Sequence, residues 1–248
     1  MTSRLHISDL HLALGGRPVL AGVEFELTAG EFAGLIGPNG AGKSSLLRAL
    51  AGLEPGMRGR VVIDGLDTRD EALAARAALG YAVEPERLPR LLNGRQCIEL
   101  IAQLRGATPQ LAASWTLCER LALSPWLERA LHTYSLGTRQ KLAIVLALVG
   151  EPRLIVLDEV LNGLDPLAAF ALKEELRARA ANGAAVLLAT HGLEVAERFL
   201  NRALLLLDGR IAADWDATAL AAFRDDPDGG LEHAVVGRLR AMRSESRA

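Results

Sequence analysis

Nine consecutive residues constrain this chain more than any others: Gly37-Pro38-Asn39-Gly40-Ala41-Gly42-Lys43-Ser44-Ser45, which fit the pattern G-x-x-x-x-G-K-[ST]. An apolar, strand-like run (Phe32 to Ile36) precedes them, and a helix-like run (Ser45 to Ala51) follows. A glycine-rich turn in that setting wraps backbone N–H groups around a phosphate, because glycine enters conformations that other residues resist. Lys43 supplies a compact positive charge for the terminal phosphates, and the Ser44 hydroxyl suits Mg²⁺. The chain has three lysines (Lys43, Lys141 and Lys173) among 28 basic residues. A lysine kept at 43 in an arginine-rich chain marks a point charge rather than a planar fork. The implied ligand is a nucleoside triphosphate.

The rest of the chain reads as α/β. Alternating residues in the first thirty (Leu5, Ile7, Val23, Phe25, Leu27) flank the turn Gly15-Gly16-Arg17-Pro18, which predicts antiparallel strands. Val61 to Ile63 followed by Asp64-Gly65 is a further strand and turn; 70–79 reads as helix and Gly80 to Val83 as strand. From about Pro89 to Trp126 the pattern is helical, with Pro and Gly punctuation and no strand signal. Strand periodicity returns at Leu154–Leu157, Ala185–Ala189 and Ala203–Leu207, with helices at about 167–181 and 193–200 between them. Strands alternating with helices imply a mainly parallel sheet covered on both faces. After about Asp214 only a short tail is expected, containing the loop-like Asp225-Asp226-Pro227-Asp228-Gly229-Gly230.

Several function classes are disfavoured. The formal charge of −2 gives no global basic field for nucleic acid. Arg238, Arg240, Arg243 and Arg247 form a basic cluster best read as a solvated tail. Cys97 and Cys118 show no metal-type spacing and fit a reducing compartment. The longest apolar runs, Leu142 to Val149 and Ala203 to Leu207, fall far short of the ~20 residues of a membrane helix. With no charged-then-apolar leader at the start, the expectation is a chain soluble on its own.

Two further constellations carry chemistry. Leu154-Ile155-Val156-Leu157 runs into Asp158-Glu159, which places two carboxylates at the C-terminal edge of a buried strand, where ligands of such sheets bind. Asp158 suits Mg²⁺ opposite Ser44, and Glu159 suits a water attacking the γ-phosphate. Tyr134-Ser135-Leu136-Gly137-Thr138-Arg139-Gln140 opens an apolar helix to about Val149, stopping at Gly150-Glu151-Pro152. Ser135 is a good N-cap, and a helix start is an anion site in its own right. It precedes Asp158 by 23 positions (158 minus 135).

Together these residues resemble the ATP-binding-cassette (ABC) family, from about Leu5 to Ile211. Residues 134–138 are similar to its L-S-G-G-Q signature, 153–159 to its Walker B strand, and Gly163-Leu164-Asp165-Pro166 to its D-loop. His191, in Ala189-Thr190-His191, falls at the family's switch histidine. The resemblance implies a P-loop NTPase fold: a RecA-like mixed sheet core with an N-terminal antiparallel β subdomain and an inserted α-helical subdomain. It places the ATPase domain at 1–212, the helical subdomain at about 87–150 and a short C-terminal tail at 213–248. It further implies ATP and Mg²⁺ as cofactors, with His191 contacting the γ-phosphate and holding the hydrolytic water with Glu159. Gly37, Pro38, Asn39, Gly40, Ala41, Gly42, Lys43, Ser44 and Ser45 would grip the nucleotide, and Lys43 would also act in catalysis.

In this family two domains face head to tail, closing ATP between the phosphate loop of one and the signature of the other. One phosphate loop and one signature cannot build that site within a single chain, so a second copy or a related chain is implied. Ser135 and Gly137 would contact that copy's nucleotide, with Asp165 at the seam. The resemblance implies separate transmembrane permease subunits, a place on the cytoplasmic face of the membrane, and docking through the Glu84 loop and the insert at about 87–133. A soluble ABC ATPase acting on DNA, ribosomes or iron–sulfur assembly is the alternative, although two cassettes, coiled-coil inserts or basic extensions are not seen.

This sequence departs from the family pattern at three places. Glu84, followed by Pro85, stands where a glutamine is usual; it is acceptor-only, and would be a stronger metal ligand that adds negative charge beside the triphosphate. Glutamate here and the Y-S-L-G form at 134–137 are similar to the drug-, antibiotic- and polysaccharide-export branch. Leu14, 23 positions before Gly37 (37 minus 14), replaces an aromatic that stacks on adenine. A stacking contribution of roughly 0.5–1.5 kcal/mol is lost with that ring, so weak base discrimination is expected. Leu136 replaces the first signature glycine.

Overall fold

The run Leu154-Ile155-Val156-Leu157 has no polar face. In the computed structural model, which describes residues 2–226 and 230–245, it forms strand β7 (Leu154–Asp158) with all four side chains fully buried. A strand apolar on both sides needs a layer on each. Leu154 and Val156 join one hydrophobic cluster, Ile155 and Leu157 another. The same division runs through β3 (Phe32–Ile36), β8 (Ala185–Ala189) and β9 (Arg202–Leu207): Leu35, Leu187 and Leu204 face the first cluster, Ile36, Leu188 and Leu205 the second.

These strands lie in a six-stranded sheet of order β10-β9-β3-β8-β7-β6, with β6 (Leu79–Tyr81) and β10 (Arg210–Trp215) at its edges. All neighbours are parallel except β9 and β10, which form an antiparallel hairpin. The mixed sheet is the core that the sequence leads one to expect.

A second sheet, order β2-β1-β4-β5, is antiparallel: β1 (Ser3–Leu14), β2 (Arg17–Thr28), β4 (Arg58–Ile63) and β5 (Leu66–Asp67). Gly15 and Gly16, at φ +56° and +77°, make the two-residue turn between β1 and β2, where positive φ at both positions matches the strand twist. Helix α1 (Lys43–Leu50) shares the first cluster with both sheets through Leu46, Leu47 and Leu50, all fully buried or nearly so. Each such leucine contributes about 2 kcal/mol of burial. That packing fixes the start of α1 at the end of β3.

Helix α2 (Ala72–Ala78) precedes β6. Between β6 and β7 come α3 (Gly94–Leu104), α4 (Leu111–Arg120) and α5 (Leu136–Leu148), linked by short 3-10 turns. Asn93 opens α3 with a capping box: its side chain accepts from the Gln96 N–H, and Gln96 Oε1 accepts from the Asn93 N–H. Arg105, just past α3, donates to the carbonyls of Ala147 (3.2 Å) and Val149 (2.6 Å) at the end of α5, and to Leu79 in β6 (2.9 Å). Burial, aided by nearby Arg179, pulls its pKa down to about 10, so it remains charged at neutral pH. A cation at that end complements the helix dipole. The strandless helical stretch therefore hangs on the sheet through a clamped α5.

Helices α6 (Pro166–Ala181) and α7 (Leu193–Phe199) follow β7 and β8. The end of the chain differs from expectation. β10 runs across position 213, and α8 (Ala217–Asp225) and α9 (Gly230–Glu245) follow in the short tail, where the sequence signals only a loop-like stretch. Asp216 caps α8 by accepting from the Ala219 N–H, and Leu220 and Leu231 are fully buried in the second cluster. Glu197 of α7 accepts from the Leu231 N–H at 2.8 Å, so α9 begins on α7. Residues 227–229 of the expected loop, and Arg247 of the basic cluster, lie outside the described residues.

Candidate nucleotide site

Parallel strands bring their C-terminal ends to one edge, and three of them deliver the chemistry. β3 ends at Ile36 and opens into the phosphate loop; β7 ends at Asp158; β8 ends at Ala189, followed by Thr190-His191. Asp158 lies opposite Ala189 in register. A concave surface of about 220 Å³ here is lined by Val19, Asn39, Gly40, Gly42, Lys43, Ser44, Ser45, Asp158 and Glu159. A larger open depression of about 780 Å³ lies over Gly30, Asn201 and Arg202. There Arg202 pairs with Glu31 (3.0 Å) and Asp214 (2.8 Å), so its charges face one another.

The loop is built for close approach. Gly37, at φ +153°, has Leu206 O where a Cβ would sit, 2.3 Å away. Gly42, at φ +105°, is the N-cap of α1 and carries no side-chain cap, which leaves the helix start to be completed by an anion. Lys43 is 6% exposed, and its Nζ donates to the carbonyls of Gly37 (2.7 Å) and Pro38 (3.1 Å).

Burial raises the pKa of Asp158, and the charges of Glu159 and Glu84 add to it, against the Ser44 hydroxyl and Lys43, which lower it. Its Oδ1 is buried without a hydrogen-bond partner. An orphaned carboxylate oxygen beside a serine hydroxyl fits a hard cation that takes one or two protein oxygens and completes its shell with phosphate and water. Ser44 and Asp158 thus suit Mg²⁺.

Glu159 and His191 are in direct contact: His191 Nδ1 lies 3.0 Å and 3.1 Å from the two carboxylate oxygens. An ionised carboxylate only accepts, so Nδ1 carries the proton in this contact. Glu159 stands at φ +49°, a left-handed conformation costing a side-chain-bearing residue about 1–2 kcal/mol.

Other expected site residues stand apart. Glu84 does not line the concavity; Arg48 holds it at 2.7 Å and Arg87 pairs with it from the next turn. Leu14 is at the end of β1, 39% exposed and paired with Arg17 across the hairpin, whereas Val19 lines the concavity. Ser135 caps α5, its Oγ accepting from the Thr138 N–H at 3.2 Å, and is exposed to solvent. Gly137 lies near the Gly163 carbonyl, 3.6 Å from where a Cβ would sit, and Leu136 is 57% exposed. Asp165 is the N-cap of α6, accepting from the Ala168 N–H at 2.9 Å, and pairs with Lys141 at 2.7 Å. Lys141 holds the Asp165 carboxyl below its ordinary range. Sequence reasoning missed Val19, Lys141 and Asn162, whose Nδ2 donates to Glu159 Oε2 at 3.0 Å. The scarcity of lysines was the available signal for Lys141.

Residues 20–162 match the family model described as ABC transporter. The chain is 39% identical over 184 residues to the human (Homo sapiens) phospholipid-transporting ATPase ABCA7, covering 73% of this chain and 8% of that one. It is 34% identical over 210 residues to the daunorubicin resistance ATP-binding protein DrrA3 of Streptomyces coeruleorubidus, covering 84% of this chain and 66% of that one. The chain therefore spans under a tenth of the human relative and about two thirds of the bacterial one. A solved ATP binding subunit of an ABC transporter superposes with a TM-score of 0.85 at 31% identity, covering 95% of this chain and 99% of the other.

Proposed function

We propose that this chain, a member of the ABC transporter family, hydrolyses ATP to energise transport, in the export direction, through separate membrane-spanning subunits. The observation that carries this reading is the convergence of Lys43, Ser44, Asp158, Glu159 and His191 on one sheet edge. Lys43 exchanges its contacts with the Gly37 and Pro38 carbonyls for phosphate oxygens. Ser44 and Asp158 would hold Mg²⁺, which would supply neutralisation of charge between the phosphates. Glu159 takes a proton from water as the water oxygen attacks the γ-phosphorus. The bond from that phosphorus to the β–γ bridging oxygen breaks, and ADP and phosphate leave. His191 orients the water and contacts the γ-phosphate.

The closing wall comes from a second copy or a related chain, whose Ser135–Gly137 segment caps the γ-phosphate and whose Asp165 meets the seam. The solvent-exposed Ser135 supports this. Among the described residues no helix is long and apolar enough to cross a membrane; the proposed path is formed by the separate membrane-spanning subunits. They dock on the cytoplasmic side against the Glu84 loop and the insert, where Leu91 and Leu104 are 91% and 73% exposed. Glu84 and the Tyr134–Gly137 sequence support the export direction.

Glu159→Gln tests this reading. Hydrolysis falls below about a hundredth of the parent, and ATP drives the variant into a stable dimer seen by size exclusion. Normal hydrolysis by this variant removes Glu159 as the base.

A further inference from the structure

Glu159 is held at both ends by one neighbour. Its carbonyl accepts from the Asn162 N–H at 3.0 Å, closing a tight turn over 159–162, and its own N–H donates to the Ala189 carbonyl at 3.0 Å. The Asn162 side chain returns to the other end of the same residue, Nδ2 donating to Oε2 at 3.0 Å. Because a carboxylate only accepts, the amide must present its NH₂ group here. The left-handed backbone of Glu159, φ +49°, thus sits inside a closed ring of contacts.

The only other side chain bonded to this carboxylate among the described residues is His191, which lies 3.0–3.1 Å from both oxygens and is 63% exposed. A neutral imidazole protonated on Nδ1 has no second N–H, so donating to a phosphate oxygen means releasing the carboxylate. A glutamate released by His191 has three rotatable side-chain bonds and no fixed aim unless another donor keeps it. Asn162 is that donor: its bond to Oε2 leaves the lone pairs of Oε1 for the attacking water.

We infer that Asn162 is a positioning residue for the base, fixing the Glu159 carboxylate against its own turn while His191 engages the phosphate. The inference rests on the role proposed above for Glu159.

The test is steady-state ATP hydrolysis by the full chain carrying Asn162→Ala or Asn162→Asp, with nucleotide binding measured in parallel. For Asn162→Ala, kcat falls about 10- to 100-fold while KM for ATP stays within about twofold. Asn162→Asp keeps the shape but sets a second carboxylate against Glu159. Its kcat falls further than that of Asn162→Ala, while nucleotide binding again stays within about twofold. A kcat within about twofold of the parent in both variants overturns the inference. Loss of nucleotide binding in step with the loss of kcat in both variants also overturns it, because that is the mark of a merely structural turn. Glu159→Gln in the same assay separates the two claims. If it still hydrolyses ATP, the base assignment falls and this inference with it. If it is inactive while both Asn162 variants are fully active, only the positioning role fails.

Discussion

Two helix starts in this molecule are suited to phosphate, and they are finished to different degrees. The start of α1 has no side-chain cap, a buried lysine folded onto its own loop and an unpartnered carboxylate oxygen nearby. The start of α5 is already capped by Ser135 and faces solvent beside the exposed Leu136. The first is a cradle whose remaining bonds await a ligand. The second is a stable helix end that can lend its hydroxyl and N–H groups to a ligand brought from elsewhere. On the function proposed above, the difference means that one phosphate site is split between two helix ends and neither half is sufficient.

The largest expected effect breaks the comparison outright. Lys43→Ala and Ser135→Arg should each lower turnover more than about 100-fold, but Ser135→Arg should still bind ATP as a monomer. Mixed in equal amounts, the two inactive variants should recover about a quarter of parental activity, because half of the dimers are mixed and each holds one intact site of two. No recovery in the mixture would mean that the two helix starts do not share a ligand.

A moderate effect sharpens what the cradle costs. Burial lifts the pKa of Asp158, so the folded chain holds that proton more tightly than the unfolded one. Stability therefore declines as pH rises from the unfolded to the folded value, and the full cost is present above it. Asp158→Asn should raise the melting temperature of the nucleotide-free chain by roughly 1–3 °C at neutral pH and flatten this pH dependence, while abolishing Mg²⁺-dependent hydrolysis. Differential scanning calorimetry across pH 4 to 8 checks it, and a lower melting temperature would contradict it. The smallest effect concerns the base. The parent should turn over ATP and GTP about equally, because among the described residues Val19 and no aromatic ring lines the concavity. A strong native preference for ATP in competition assays would count against it.

What the sequence made legible follows from chain neighbours. Buried parallel strands are continuous apolar runs, so β3, β7, β8 and β9 were readable, and with them the edge where Lys43, Asp158 and His191 gather. Contacts made by the fold were hidden. Glu84 meets Arg48 across 36 positions of sequence, and that ion pair decides where its charge points. Asn162 was close to Glu159 in sequence, but its importance depends on a left-handed turn that an Asp-Glu-Val-Leu run does not advertise. The C-terminal helices were missed because Asp, Pro and Gly residues at 225–230 read as an ending, whereas Leu220 and Leu231 on either side bury into the common core.

Arg105 has a consequence for how the chain comes apart. Its guanidinium joins a residue after α3 to the last carbonyls of α5 and to a strand of the sheet. Releasing any one of the three strands a charged group against buried carbonyls, a penalty far larger than an ordinary surface contact. The helical arm and the sheet are thereby tied into one cooperative unit, and amides in α5 should exchange with solvent only on the timescale of the core strands. Under the proposed function, a force applied to the arm would reach the sheet as movement of a tied unit, not as the melting of a hinge.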